Sequence, residues 1–153
     1  MADGLVEILL VEDNADDLRL ALHALRRHNL ANRIHVARDG AEALDFVFGT
    51  GAQAGRRFED GPKVVLLDLK LPKVDGREVL RRIKDDERAR VIPVVMLTSS
   101  REERDLAESY RLGANSYIVK PVDFQQFTEA IRQLGLYWAV LNEPPPSALA
   151  GRP

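Results

Sequence analysis

Short apolar runs alternate along this chain with longer stretches of helical spacing, and that alternation limits the possible folds more than any other feature. Runs at residues 6–11, 33–37, 64–68, 92–98 and 116–119 read as buried strands. Three of them are continuously apolar and rich in Val, Ile and Leu, as in strands covered on both faces. Between the runs, Leu18, Ala21, Leu22 and Leu25 follow the i, i+3, i+4, i+7 spacing of a helix face. Val79, Leu80 and Ile83 repeat it in shorter form, and Phe127, Ile131, Leu134 and Trp138 lie on one stripe of the last helix. Successive runs start roughly 25–30 residues apart, the length of one βαβ unit. Strict alternation predicts an α/β fold: a doubly wound, five-stranded parallel sheet with helices on both faces. At 153 residues the chain has room for one such domain.

Two segments interrupt the rhythm. Residues 49–61 hold four glycines and no periodicity, which predicts a mobile surface loop with only Phe58 to anchor it. From Asn142 onward lie four of the eight prolines, which cannot extend a helix. The domain is therefore expected over 5–138, with a proline-containing tail at 139–153 and no output domain. A net charge of −2 offers no electrostatic argument for nucleic acid or membrane. There is no cysteine, so disulfides and thiolate chemistry are excluded. The start Met-Ala-Asp-Gly has no signal-peptide pattern, and no run reaches the ~18 apolar residues of a membrane helix. The cytoplasm is the expected compartment.

Open α/β sheets bind ligands beyond the carboxyl ends of their strands, where strand order reverses. The strand ends here carry Glu12 and Asp13, then Asp68, then Thr98 and Ser99, then Lys120. With strand order 2-1-3-4-5, Glu12, Asp13 and Asp68 converge, and Thr98 and Lys120 border them. Three carboxylates at one spot repel unless a cation sits among them. Hard oxygen ligands favour Mg²⁺, which takes one or two carboxylates directly and keeps waters. A carboxylate beside such a cation can approach an anionic phosphate, which makes Asp68 a candidate nucleophile for phosphoryl transfer. Lys120 supplies a point charge for a phosphate oxygen, Thr98 a hydroxyl, and Ser99 a small side chain that leaves room. Each residue alone has a plainer reading: Asp13 or Asp16 as a helix cap, Asp68 as a turn former, Thr98 as a strand residue, Lys120 as a surface lysine. The set of strand ends taken together is what points to a site. The loop after strand one is acidic rather than glycine-rich, so nucleotide cradling is not expected. His23, His28 and His35 have no metal-ligand spacing, and Tyr117 reads as either packing or function.

The pieces Ile8-Leu9-Leu10-Val11-Glu12-Asp13, Leu66-Leu67-Asp68, Leu71-Pro72, Asp75-Gly76, Leu97-Thr98-Ser99, Gly113-Ala114 and Val119-Lys120-Pro121 resemble, in this order, the receiver domain of bacterial two-component response regulators. The resemblance spans about residues 6–135 and implies the flavodoxin-like (α/β)5 receiver fold. It further implies that Asp68 is the phosphoacceptor, loaded by a sensor histidine kinase. It makes Asp13 and Asp68 direct Mg²⁺ ligands (Mn²⁺ as a substitute), Glu12 a ligand through water, and the Lys70 backbone carbonyl a further ligand. Thr98 and Tyr117 would be paired switch residues, Lys120 the phosphate contact, and Lys120-Pro121 a cis bond. The long glycine-rich loop, the stretch Leu71-Pro72-Lys73-Val74-Asp75-Gly76-Arg77-Glu78-Val79-Leu80 and the ending Gly135-Leu136-Tyr137-Trp138 are similar to regulators that serve bacterial phytochrome kinases.

Signalling would then run through a downstream protein or a phosphotransfer protein. Two rivals are an aspartyl-phosphate phosphatase of the haloacid-dehalogenase type and a pseudo-receiver that only binds a partner. The first needs Asp-x-Asp after strand one, and Asp13 is followed by Asn14-Ala15. The second should lack part of the site, and no part is lacking. Leu136, Tyr137, Val140 and Leu141 add apolar side chains beyond the core stripe, which predicts a homodimer through this segment.

Overall fold

Five parallel strands form one sheet in the order β2-β1-β3-β4-β5 in the computed structural model, which describes residues 8–26, 34–99 and 103–133, less the side chains at 103–106 and 131. In chain order the elements are β1 (Ile8–Val11), α1 (Ala15–Arg26), β2 (Ile34–Ala37), α2 (Gly40–Phe48), β3 (Val64–Asp68), α3 (Gly76–Asp85), β4 (Val94–Thr98), α4 (Glu103–Arg111), β5 (Ser116–Val119) and α5 (Phe124–Gln133). The expected order and fold class are therefore present. Because side chains alternate along a strand, each continuously apolar strand feeds two cores. Leu9, Val11, Val65, Leu67, Val94 and Met96 pack with Phe46 and Val47 of α2 and Val79, Leu80 and Ile83 of α3. Ile8, Leu10, Leu66, Val95, Leu97 and Ile118 pack with Ala21 and Leu25 of α1 and Phe127 of α5. Burying each such aliphatic side chain contributes roughly 1.5–3 kcal/mol. Leu18 and Leu22 sit at the margin of the second core. Leu134 and Trp138 of the last-helix stripe lie outside the described residues.

Two expectations need correction. Strand four begins at Val94, not at residue 92, because Ala89–Val91 makes a 3-10 turn and Pro93, without an N–H, enters the ladder only as acceptor, its carbonyl taking the Val65 N–H at 3.0 Å. Residues 49–61 are not a featureless loop. Gly49 ends α2 with a φ of 66°, and 3-10 turns follow at Gly51–Gln53 and Phe58–Asp60. Phe58 packs on the α2–α3 core, with the Arg88 guanidinium 4.2 Å from its ring centre. Phe46 is flanked by the His35 ring at 4.0 Å and by the Arg56 guanidinium at 4.1 Å. Single 3-10 turns are too short to show periodicity, so the sequence pattern read as loop.

The segment after β3 is fixed by two glycines. A Cβ on Gly76 would overlap the backbone oxygens of Asp68 and Leu69, and one on Gly40 would overlap the Val74 carbonyl. Their absence lets α3 and α2 start against the chain that leaves β3. Asp75 caps α3 by accepting from the Arg77 N–H at 3.1 Å, and the Gly76 N–H donates to the Leu69 carbonyl at 3.0 Å. Asp39 caps α2 in the same way, accepting from the Glu42 N–H at 2.8 Å. The end of β3 is thus held from two sides.

Candidate functional site at the carboxyl edge of the sheet

Register brings the chemistry together. Val11 pairs with Leu67, so Glu12 and Asp68 emerge side by side. Asp68 pairs with Leu97 and Thr98 with Val119, so Thr98 and Lys120 follow one residue further on. Backbone bonds continue past the strand ends: Glu12 N–H to Ala37 at 3.0 Å, Leu69 N–H to Leu97 at 3.1 Å, Lys120 N–H to Thr98 at 2.8 Å. The side chains therefore stand where the backbone is still tied into the sheet.

A cavity of about 300 Å³ opens there, lined by Asp13, Asn14, Asp17, Asp68, Leu69, Lys70, Thr98, Ser99 and Lys120. Asp68, Glu12 and Thr98 are buried, whereas Asp13, Ser99 and Lys70 are exposed at the mouth. Oxygens of Glu12, Asp13 and Asp68 lie within 4.8 Å of one another. Lys120 Nζ reaches Glu12 Oε1 at 2.6 Å, Asp17 Oδ2 at 3.0 Å and Asp68 Oδ2 at 3.2 Å. The other Glu12 oxygen accepts from the Asn14 N–H at 3.1 Å. Lys120-Pro121 is cis.

These contacts set the electrostatics. Burial, with Asp68 adjacent, pushes the Glu12 carboxyl up to about 7 against the opposing pull of Lys120. Burial works against the Lys120 ammonium, but the hydrogen bonds it donates to Glu12 and Asp17 and the charge of Asp68 outweigh it, so its pKa lies above the ordinary lysine range. The lysine is a fixed cation at neutral pH. The acidic trio is a hard-oxygen donor set of the size a small divalent cation takes, and the residues present fit such an ion.

The remaining sequence candidates fall as follows. Tyr117 is on β5, about a third exposed, with its ring edge-on to Tyr110 at 6.0 Å. His35 stacks on Phe46 and His23 is exposed, both far from the trio in role. His28, Leu136, Tyr137, Val140 and Leu141 lie outside the described residues. The cap of α1 is Asn14, whose side chain accepts from the Asp17 N–H at 2.9 Å, rather than Asp13 or Asp16. The residue that sequence reasoning missed is Asp17. Its only signal was an acidic first helical turn, which the helix dipole explains without any site.

Comparison with known proteins agrees with this fold. The family model of the response regulator receiver domain matches residues 8–132. The probable methanogenesis regulatory protein FilR2 of Methanothrix harundinacea is 43% identical over 142 residues, 90% of this chain and 86% of that protein. The bacteriophytochrome response regulator AtBRR superposes with a TM-score of 0.78 at 58% identity, over 91% of this chain and 99% of the other. The Mn²⁺-bound form of response regulator Rcp1 does so with 0.71 at 35% identity, over 92% and 97%. The sheet that presents these residues is thus a shared fold, and this chain is a member of the response regulator receiver family, signalling proteins phosphorylated by histidine kinases.

Proposed function

We propose that Asp68 is the phosphoacceptor and that Glu12, Asp13, Asp68 and the Lys70 carbonyl hold Mg²⁺, with Mn²⁺ as a substitute. The observation that carries this reading is the Asp68 carboxylate on the floor of the cavity, 3.2 Å from Lys120 Nζ and grouped with Glu12 and Asp13. An oxygen of Asp68 attacks the phosphorus of a phosphohistidine. The O–P bond forms as the P–N bond breaks, and that electron pair returns to the imidazole nitrogen. Lys120 and the Thr98 hydroxyl receive the phosphoryl oxygens, and Ser99 leaves them room. The cation, when bound, offsets the negative charge that would keep a phosphoryl group away from Asp68. Thr98 then couples the new group to Tyr117, a shift between two existing states. The domain acts on its own phosphorylation and signals by contact with a downstream or phosphotransfer protein, without direct nucleic-acid binding.

The likeness to AtBRR and Rcp1 supports a phytochrome-type sensor kinase as the donor. Among the described residues no helix is long and apolar enough to cross a membrane, which accords with a cytoplasmic reading. The apolar content of 136–141 supports a homodimer, and light scattering with and without beryllofluoride tests it.

The deciding experiment is incubation with acetyl phosphate and Mg²⁺ followed by mass spectrometry. One phosphoryl group on Asp68 is expected, lost with EDTA and in Asp68→Asn. Label that persists in Asp68→Asn overturns the assignment.

A further inference from the structure

Lys120 has three N–H donors, and three carboxylates surround it, at 2.6, 3.0 and 3.2 Å. Glu12 and Asp68 have roles in the reaction read above. Asp17 has none, yet it lines the same cavity. An acid in the first turn of a helix is ordinary and favoured by the dipole. Its neighbour Asp16 shows the ordinary outcome, pairing with Arg19 at 2.7 Å on the open surface of α1. Asp17 instead reaches across the end of the sheet to a lysine 103 residues away in sequence.

We propose that Asp17 is a positioning residue that holds Lys120 in the resting state and opposes the phosphorylated one. This rests on Asp68 being the phosphoacceptor. A phosphoryl group brings close to two negative charges into the cavity and needs a donor from Lys120. When Asp68 is phosphorylated, its contact with the ammonium, the longest of the three, can pass to a phosphoryl oxygen, and any further phosphoryl contact comes at the expense of Glu12 or Asp17. The Glu12 side chain is 2% exposed, and stripping a buried carboxylate of its cation is costly. The Asp17 side chain is 37% exposed and can turn to water. Even turned away, its charge stays at the cavity wall facing the phosphoryl oxygens. Asp17 therefore biases the equilibrium toward the empty acceptor.

The test is beryllofluoride titration at saturating Mg²⁺, followed by NMR, on wild type, Asp17→Asn, Asp17→Glu and Asp68→Asn. Asp17→Asn should bind about three- to tenfold more tightly, as expected for removing one like charge at a partly exposed site. Asp17→Glu, which keeps the charge, should stay close to wild type. The gap should narrow at about 0.5 M salt, because a partly exposed charge is screened. A structural role alone would move the melting temperature of Asp17→Asn and leave the affinity within twofold, which would overturn the proposal. So would weaker binding by Asp17→Asn, or a gap indifferent to salt. If wild type fails to bind, or Asp68→Asn binds as well as wild type, the acceptor reading itself falls. If wild type binds, Asp68→Asn does not, and Asp17→Asn matches wild type, only the role of Asp17 falls.

Discussion

Replacing Gly76 by Ala isolates how the phosphoacceptor segment is held. The added methyl would overlap two backbone oxygens, those of Asp68 and Leu69. No side-chain rotation relieves a clash with backbone, so the start of α3 must retreat. That helix carries Val79, Leu80 and Ile83, all fully buried, and their packing loosens as it moves. Overpacking of this kind costs about 1–3 kcal/mol, with the upper part of that range expected here. Removing a helical glycine returns roughly 0.5–1 kcal/mol. The net loss is about 1.5–2.5 kcal/mol, or a melting temperature lower by roughly 4–8 °C for a domain of this size. Gly61→Ala is the control: its φ of −73° suits any residue, and its nearest neighbour would be a single carbonyl oxygen at 3.0 Å. It should change stability by under about 1 kcal/mol. Calorimetry and urea unfolding measure both, and isothermal titration should show weaker Mg²⁺ binding in Gly76→Ala alone. A Gly76→Ala protein as stable as wild type, with unchanged metal affinity, would refute the reasoning.

Phe58→Ala should cost about 1–2 kcal/mol, from a partly buried ring and its contact with Arg88, with Mg²⁺ binding unchanged; a silent substitution would mean that the segment is not docked. Thr98→Ala should still take up phosphate from acetyl phosphate while the Tyr117 resonances stay at their resting positions; a wild-type Tyr117 response in that variant would break the proposed coupling. Burial holds the His35 imidazole below its ordinary 6.5, with Glu42 raising it and Arg56 lowering it by smaller effects. The native state thus disfavours the proton: His35 costs nothing above pH 6.5, and stability is lost as pH falls from there toward the lower folded-state value. His35→Phe keeps a ring against Phe46 and removes this slope, so its urea midpoint should drop less than wild type between about pH 7 and 5.5; equal drops would exclude the His35 contribution.

The sequence by itself determined the sheet, its helices and most of the residues that meet at its carboxyl edge. Strands covered on both faces are continuously apolar, and a polar residue that closes a strand, as Asp68 does, or follows one, as Glu12 and Lys120 do, lies at the carboxyl edge. The glycines of 49–61 also marked where the helical pattern stops, and Gly49 does end α2. Tertiary structure alone decided the rest. Residues 49–61 gain order from Phe58 on the core and Arg56 over Phe46, contacts with groups distant in sequence that leave no periodic trace. Asp17 is indistinguishable from Asp16 as text, since both are acids on the first turn of α1. Helical phase directs one to solvent and Arg19, and the other over the end of β1 to Lys120, a partner that only the folded sheet brings within hydrogen-bonding distance.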